Sequence, residues 1–176
     1  AQGRVNGAFL TGKTWNIPQD AKRPARTNKK PKAPRTLLDI LQNEMTGQVK
    51  GGIYHKIQID LTYNSNHIEG SRLTHDQTRY IYETNTIGME NGIVNVDDVV
   101  ETANHFKCID MVIRDARKPL SEALIKKLHF ILKSGTSDSR KDWFAVGEYK
   151  KLPNEVGGRS TTAPELVAPQ MKELIS

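Results

Sequence analysis

The sequence has little cysteine, few aromatic residues and no long apolar run. Its 176 residues include one cysteine, Cys108, and 6% aromatic residues. A single thiol cannot form an intrachain disulfide, and a membrane-spanning helix needs about 20 predominantly apolar residues in a row. The first residues, Ala1-Gln2-Gly3-Arg4, also lack the apolar segment of a secretory signal. We therefore expect a globular, cytoplasmic protein that does not enter a membrane.

Positive charge is concentrated at one end of the chain. The formal net charge is +6, but residues 1–36 alone hold nine basic residues and one acidic residue. The rest of the chain holds 17 basic and 19 acidic residues, so it carries a slight negative charge. A cluster of lysine and arginine is typical of segments that contact nucleic acid. Any contact with DNA is therefore expected from residues 1–36.

The pattern of apolar and turn-forming residues divides the chain into three parts. Residues 1–18 contain Gly12 between two short runs with bulky side chains, which predicts a small hairpin closed by Pro18. Residues 19–36 combine prolines with lysines and arginines and no large aliphatic side chain, which is typical of an extended linker. Residues 37–176 show helical periodicity, so the expected fold is mainly α.

Several helices can be placed within residues 37–176 from apolar spacing and capping residues. We predict apolar faces formed by Leu37, Leu38, Leu41 and Met45; by Ile53, Ile57, Leu61 and Ile68, ended by Gly70; and by the repeat from Val96 to Ala116. Thr74 with Gln77 predicts a capping box, Ser121 a further N-cap, and Pro164 or Pro169 the start of a last helix. Two short strands joined near Lys151–Asn154 are expected before that helix.

The six residues Ser65-Asn66-His67-Ile68-Glu69-Gly70 fit the pattern S/T-x-x-x-E-G/N. This segment resembles the inhibitory motif of Fic (filamentation induced by cAMP) proteins. Further blocks look like successive parts of Fic chains in the same order: residues 59–74, 96–105, 147–150, 156–158 and 164–167. The resemblance covers residues 37–176 and implies the N-terminal part of a helical Fic domain with one β-hairpin flap.

The resemblance implies a role for the end of the motif. Fic proteins usually transfer AMP from ATP to a hydroxyl of a target protein. In the self-inhibited class, a helix glutamate pairs with an arginine of the catalytic loop and obstructs the productive position of the γ-phosphate. Glu69 would be that glutamate, Ser65 would help hold the helix end, and Gly70 would let the chain turn away. The alternative is an ordinary polar i, i+4 pair with a glycine cap.

The segment from Gly147 to Gly158 resembles the Fic flap, which aligns the target as an added strand and contacts the nucleotide. The flap positions nearest ATP would be Asn154, Glu155, Val156 and Gly157. Target docking would fall on Lys150, Lys151, Leu152 and Pro153. An ordinary surface hairpin is the alternative.

The sequence departs from Fic chains in one respect. The catalytic segment H-x-F-x-[DE]-G-N-G-R-x-x-R, which supplies the general base and the Mg²⁺ ligand, is absent, because no histidine is followed by glycine, asparagine, glycine and arginine. His67 and His105 are expected to be structural. We therefore expect a chain cut before that segment, with no catalytic or metal-binding residue. ATP and Mg²⁺ would bind the complete protein, and this part alone would be inactive. The sequence does not identify the target protein, and it leaves open whether the chain forms a homodimer.

A shorter resemblance involves residues 3–18, which look like the wing of an excisionase-like or MerR-like winged helix-turn-helix. It implies that Lys13 contacts a DNA phosphate and that Trp15 packs inward. Three alternatives remain: a DNA-binding regulator or scaffold with a degenerate Fic body, an incidental hairpin, and a helical interaction domain with a basic tail.

Overall fold

The computed structural model describes Val5 and residues 7–22, 36–88 and 92–175. The chain divides into two compact units, Ala1–Pro34 and Arg35–Ser176. The predicted linker lies mostly outside the described residues, as do Gly3 and Arg4 of the wing-like segment.

The first unit contains the predicted hairpin. Strand β1 (Phe9–Thr11) pairs antiparallel with strand β2 (Thr14–Asn16), and Gly12 has the positive φ of 61° that this turn requires. Trp15 lies opposite Leu10 and is 41% exposed, so the expectation that it packs inward is wrong within the described unit. A two-stranded ribbon has no second layer that could cover the indole ring.

The second unit is mainly helical, as predicted, and its short strands form one hairpin. Its elements are α1 (Leu37–Gly47), α2 (Ile53–Ile68), α3 (His75–Thr84), α4 (Val96–Asp115), α5 (Glu122–Lys133), β3 (Glu155–Val156), β4 (Arg159–Ser160) and α6 (Pro164–Ile175). Within the described ranges, no helix combines the length and the apolarity needed to cross a bilayer.

Side-chain caps set several helix starts. The hydroxyl of Thr74 accepts from the backbone N–H of Gln77, whose side chain accepts from the N–H of Thr74, so the predicted capping box is confirmed. Ser121 caps α5 as predicted, and Asn95 caps α4. These short polar side chains satisfy N–H groups that the first helical turn leaves unpaired.

The apolar core lies among α1, α2 and α4. Leu41, Tyr54, Ile109 and Ile113 are buried together, and half-buried Leu38, Met45 and Ile57 pack against them. Helix α4 is central, because it packs against α1, α2, α3 and α5. By contrast, neither α5 nor α6 carries a fully buried residue. The position of α2 is therefore fixed by the best-packed part of the unit.

The predicted apolar face of α2 is wrong at three of its four residues, and only Ile57 packs against the core as predicted. Ile53, Leu61 and Ile68 are 41%, 48% and 82% exposed, whereas the buried residues of α2 are Tyr54, Gln58, Ile59 and Thr62. The buried face is largely polar because α4 offers hydrogen-bond partners along its length, so burial leaves few polar groups unpaired.

The predicted position of the C-terminal hairpin is also wrong. The strands pair Glu155 with Ser160 and Val156 with Arg159, so the turn lies at Gly157-Gly158 and not near Lys151–Asn154. Both glycines have positive φ, 58° and 73°, which suits a two-residue hairpin turn. The last helix begins at Pro164, and Pro169 lies inside it.

Candidate functional site

The end of α2 presents Glu69. The helix ends at Ile68, and Gly70 adopts a φ of 96°, which turns the chain away. The backbone N–H of Ser71 donates to the carbonyl of Asn66 at 2.9 Å, and the N–H of Gly70 donates to the carbonyl of His67 at 3.1 Å. These bonds satisfy carbonyls of the last turn, as in other glycine-ended helices. Glu69 is left exposed at the tip.

Among the described residues, the carboxylate of Glu69 has no hydrogen-bond or ion-pair partner. Ser65, one turn earlier, is half-buried, and its carbonyl accepts from the backbone N–H of Glu69 at 3.3 Å. The three motif residues Ser65, Glu69 and Gly70 therefore lie together at one helix end.

A polar seam joins α2 to α4. We give this name to three contacts spaced one turn apart on α2: Gln58 Nε2 donates to Asp110 Oδ1 at 2.6 Å, Thr62 Oγ1 bonds His105 Nδ1 at 2.9 Å, and Asn66 Nδ2 donates to Thr102 Oγ1 at 2.8 Å. Thr62 and Thr102 are 0% exposed. Burial lowers the pKa of His105, which favours its neutral form and agrees with a structural role.

The chain beyond Glu69 is also bound to α4. The backbone N–H of Arg72 donates to Asp98 Oδ2 at 3.0 Å. Thr102 and Asp98 lie one turn apart on α4, so both point from the same side of that helix. Glu69 is therefore flanked by two attachments to α4, one at Asn66 and one at Arg72.

A cavity of about 1400 Å³ opens beside this end of α2. Residues of the α2–α3 turn, of α3 and of the N-terminal end of α4 line it, among them Gly70, Arg72, Tyr80 and Asp98, and Arg140 joins them from the segment after α5. Of the motif residues, Gly70 borders this cavity.

The hairpin β3–β4 is exposed over its whole length, as are Lys151, Leu152 and Pro153 before it. Asn154 holds its base: the backbone N–H of Thr161 donates to the carbonyl of Asn154 at 3.1 Å, and the side chains of Thr161 and Asn154 bond at 2.6 Å. Lys150 Nζ donates to both of these side chains. The side chains of Lys150 and Asn154 therefore stabilise the base of the hairpin.

Glu155, Val156 and Gly157 form the first strand and the turn of this hairpin. No hydrogen bond or ion pair joins it to Glu69 within the described residues. The structure therefore groups the predicted residues into two separate sets, one at the end of α2 and one at the hairpin.

The segment before the hairpin is attached to α5. The backbone N–H of Gly147 donates to His129 Nδ1 at 3.1 Å, and Lys126 pairs with Glu148 at 2.8 Å. Burial, and then the charge of Lys133, lower the pKa of His129, so the neutral ring accepts this bond. Sequence reasoning missed His129. The only signal in the sequence near this contact is the glycine at position 147, whose backbone has a φ of 79° in the structure.

Metal ligation is not indicated by the described side chains. In residues 7–22, 36–88 and 92–175, no group of three histidine, cysteine or acidic residues could hold a metal ion. In the first unit, Lys13 lies at the exposed turn of the hairpin, where a side chain can reach a phosphate.

Comparison with solved structures gives the fold a known counterpart. The chain is similar to a Fic domain containing signaling protein from Bacteroides thetaiotaomicron, with 26% sequence identity and a TM-score of 0.59. The match covers 78% of this chain and 54% of that chain, so this chain spans about half the length of that protein. No family model matches the sequence, and no curated protein matches it. The helical fold is therefore Fic-like.

Proposed function

We propose that this chain is the regulatory and target-docking part of a Fic protein adenylyltransferase, an enzyme that transfers AMP from ATP to a hydroxyl of a target protein. The Fic-like fold supports the family. The observation that carries the regulatory role is the placement of Glu69, exposed at the tip of α2 with its carboxylate uncommitted among the described residues.

The inhibitory step follows from the chemistry of a free carboxylate on a held helix. A carboxylate and a guanidinium form two parallel charged hydrogen bonds, which fix both groups. If Glu69 takes the arginine of the catalytic loop in this way, that arginine no longer orients the phosphates of ATP. Since phosphoryl chemistry depends on positioning, the leaving group is then misplaced and transfer slows.

Target docking would use the edges of the hairpin. In the described residues β3 and β4 pair only with each other, so each has an unpaired edge that can bind an extended peptide. Main-chain groups would give the affinity, while Lys151, Leu152 and Pro153 lie exposed beside them. Lys150 and Asn154 would keep the hairpin in shape.

ATP would lie against Asn154, Glu155, Val156 and Gly157, as the resemblance implies. The side chain of Asn154 is already bonded to Lys150 and Thr161, so the main chain of the turn and the exposed side chains of Glu155 and Val156 remain for the nucleotide. The described residues include no group of three or more histidine, cysteine or acidic side chains that could hold a metal ion, and the proposal leaves Mg²⁺ to the complete protein.

The test replaces Glu69 in a form of the protein expressed with the sequence that follows it in its gene. With labelled ATP and a cell extract, we expect Glu69→Gly to raise AMP transfer about a hundredfold, the scale of effect that mispositioning produces. The control Ile68→Gly places glycine in the same helical turn, at a side chain that is 82% exposed, and should stay inhibited.

Two outcomes would contradict the proposal. Equal transfer by the Glu69→Gly form and the unchanged protein would remove the inhibitory role. AMP transfer by the 176-residue chain alone, or by its Glu69→Ala form, above the level of a reaction without protein would show that the catalytic groups lie within it.

A second candidate function is contact with DNA through residues 1–36. The exposed hairpin, with Lys13 at its turn, and the excess of nine basic residues over one acidic residue favour it. In this alternative the helical unit is an accessory scaffold.

A further inference from the structure

We propose that Thr102 and Asp98 of α4 form a clamp that sets the position of Glu69, and with it the strength of inhibition; this rests on the function proposed above. Asn66 and Arg72 are the clamped points, three residues before and three residues after Glu69. All four are positioning residues.

Apolar burial contributes little to holding the last turn of α2, and the stacking of His67 on Tyr63 joins two residues of α2 itself. Ile68 is 82% exposed, Leu61 is 48% exposed and Glu69 is exposed, so the apolar side chains near this end contribute little burial. Among the described side chains of this turn, Asn66 is the one with a hydrogen bond to α4. Its partner Thr102 is 0% exposed, and the bond length is 2.8 Å.

Loss of this bond has a large local effect because its acceptor is buried. A buried hydroxyl that loses its partner keeps its desolvation penalty, whereas an exposed hydroxyl finds water. The second point, from the N–H of Arg72 to Asp98, lies at the exposed start of α4 and competes with water. Asn66 and Thr102 should therefore carry most of the clamp.

The clamp also explains how a carboxylate at a helix tip can be inhibitory. A charged group on a fraying end samples many positions and pays the entropy of ordering each time it binds a partner. Fixed on both sides, Glu69 and Gly70 move with α4, the helix that contacts most of the unit. The free carboxylate is thereby held ready for a guanidinium.

The experiment measures amide hydrogen exchange in the 176-residue chain at Glu69, Gly70 and Ser71, whose N–H groups close the end of α2. We expect Thr102→Val, which keeps the shape but removes the hydroxyl, to speed exchange at these amides about tenfold. Thr102→Ser keeps the hydroxyl and should exchange like the unchanged chain.

Gln42→Leu is the matched control, because Gln42 Nε2 donates to the carbonyl of Ile113 at 3.0 Å and so bonds α4 far from Glu69. It should leave exchange at residues 69–71 unchanged. If Thr102→Val does not fold, as judged by circular dichroism, Asn66→Leu removes the same bond from its half-buried side. Unchanged exchange in the folded variant, or equal acceleration in Gln42→Leu, would overturn the clamp.

AMP transfer by the longer form, expressed with the sequence that follows this chain in its gene, then tests whether the clamp affects inhibition. We expect Thr102→Val to raise transfer and Thr102→Ser to leave it low. If Glu69→Gly activates but Thr102→Val does not, the clamp does not set inhibition, although the proposed function stands. If Glu69→Gly also has no effect while exchange at residues 69–71 speeds up, the proposed function fails and the clamp is a helix anchor without a regulatory role.

Discussion

Gly147 offers a direct test of how the hairpin segment is held on α5. It is buried and has a φ of 79°, a conformation that side chains with a β-carbon rarely adopt. A β-carbon placed there would lie 2.9 Å from Phe130 Cβ, 3.3 Å from Phe130 Cδ2 and 3.4 Å from the carbonyl oxygen of Lys126. Two of these atoms belong to the backbone or to its first side-chain carbon, so neither can swing aside.

The expected cost of Gly147→Ala has two parts. The left-handed backbone costs alanine about 1–2 kcal/mol, and overpacking against Phe130 adds about 1–3 kcal/mol. Alanine also lowers the conformational entropy of the unfolded chain, which offsets about 0.4–1 kcal/mol of this loss. The net loss should therefore be about 1–5 kcal/mol, centred near 3 kcal/mol. Gly157→Ala is the matched control, since its φ is 58° but nothing lies within 4 Å of its β-carbon, so it should lose about 1 kcal/mol.

Urea unfolding followed by far-ultraviolet circular dichroism measures both losses, because the slope against urea should not change if only stability changes. The reasoning about Phe130 is refuted if the two variants lose the same free energy. A large loss in Gly157→Ala would equally refute it, because that turn lies in open space.

Two further predictions concern acid and salt. Burial keeps the pKa of His129 below its ordinary value of 6.5, so its contribution to stability is complete above that value and is lost as the pH falls through the folded pKa. His129→Asn keeps an acceptor near Gly147 without titrating, and its urea midpoint should fall less between pH 7 and about 5; an equal fall would contradict the assignment. If residues 1–36 bind duplex DNA, affinity should fall with salt at a slope of about 0.9 per neutralised phosphate and disappear when they are deleted. A salt-independent affinity, or binding that survives the deletion, would exclude this contact.

Local signals predicted much of the fold. The capping box of Thr74 and Gln77 starts α3, and the N-cap Ser121 starts α5. Each cap acts within one helical turn, so its effect can be predicted from neighbouring residues alone. The hairpin around Gly12 was equally local. The mainly helical class followed from these starts and from the spacing of apolar residues.

Long-range pairing explains the failures. The stripe Ile53, Leu61, Ile68 satisfied the helical period, yet Gln58 and Thr62 are buried instead, because their partners lie some 40 to 50 residues later on α4. No single-helix pattern contains that information. The C-terminal hairpin was misplaced for a related reason: the strand expected before Lys151 does not form, because backbone groups of residues 144–148 bond to α5 and to local turns.

The candidate site was predictable only in part. The motif placed Ser65, Glu69 and Gly70 at a helix end from six adjacent residues, and the structure has them there. The contacts of Asn66 and Arg72 with α4 could not be predicted, because a hydrogen bond between helices depends on their relative rotation. The apolar face predicted for α2 implied a different rotation of this helix about its own axis, relative to α4.

The polar seam between α2 and α4 also constrains how the sequence can change. An apolar interface tolerates a swap of one aliphatic residue for another of similar volume. Here, a change at Asn66 leaves the hydroxyl of Thr102 without this hydrogen-bond partner, and a change at Thr62 does the same to the ring of His105. Substitutions should therefore arrive in pairs. Positions 62 with 105 and 66 with 102 are expected to covary among relatives, and that record would trace the seam without a structure.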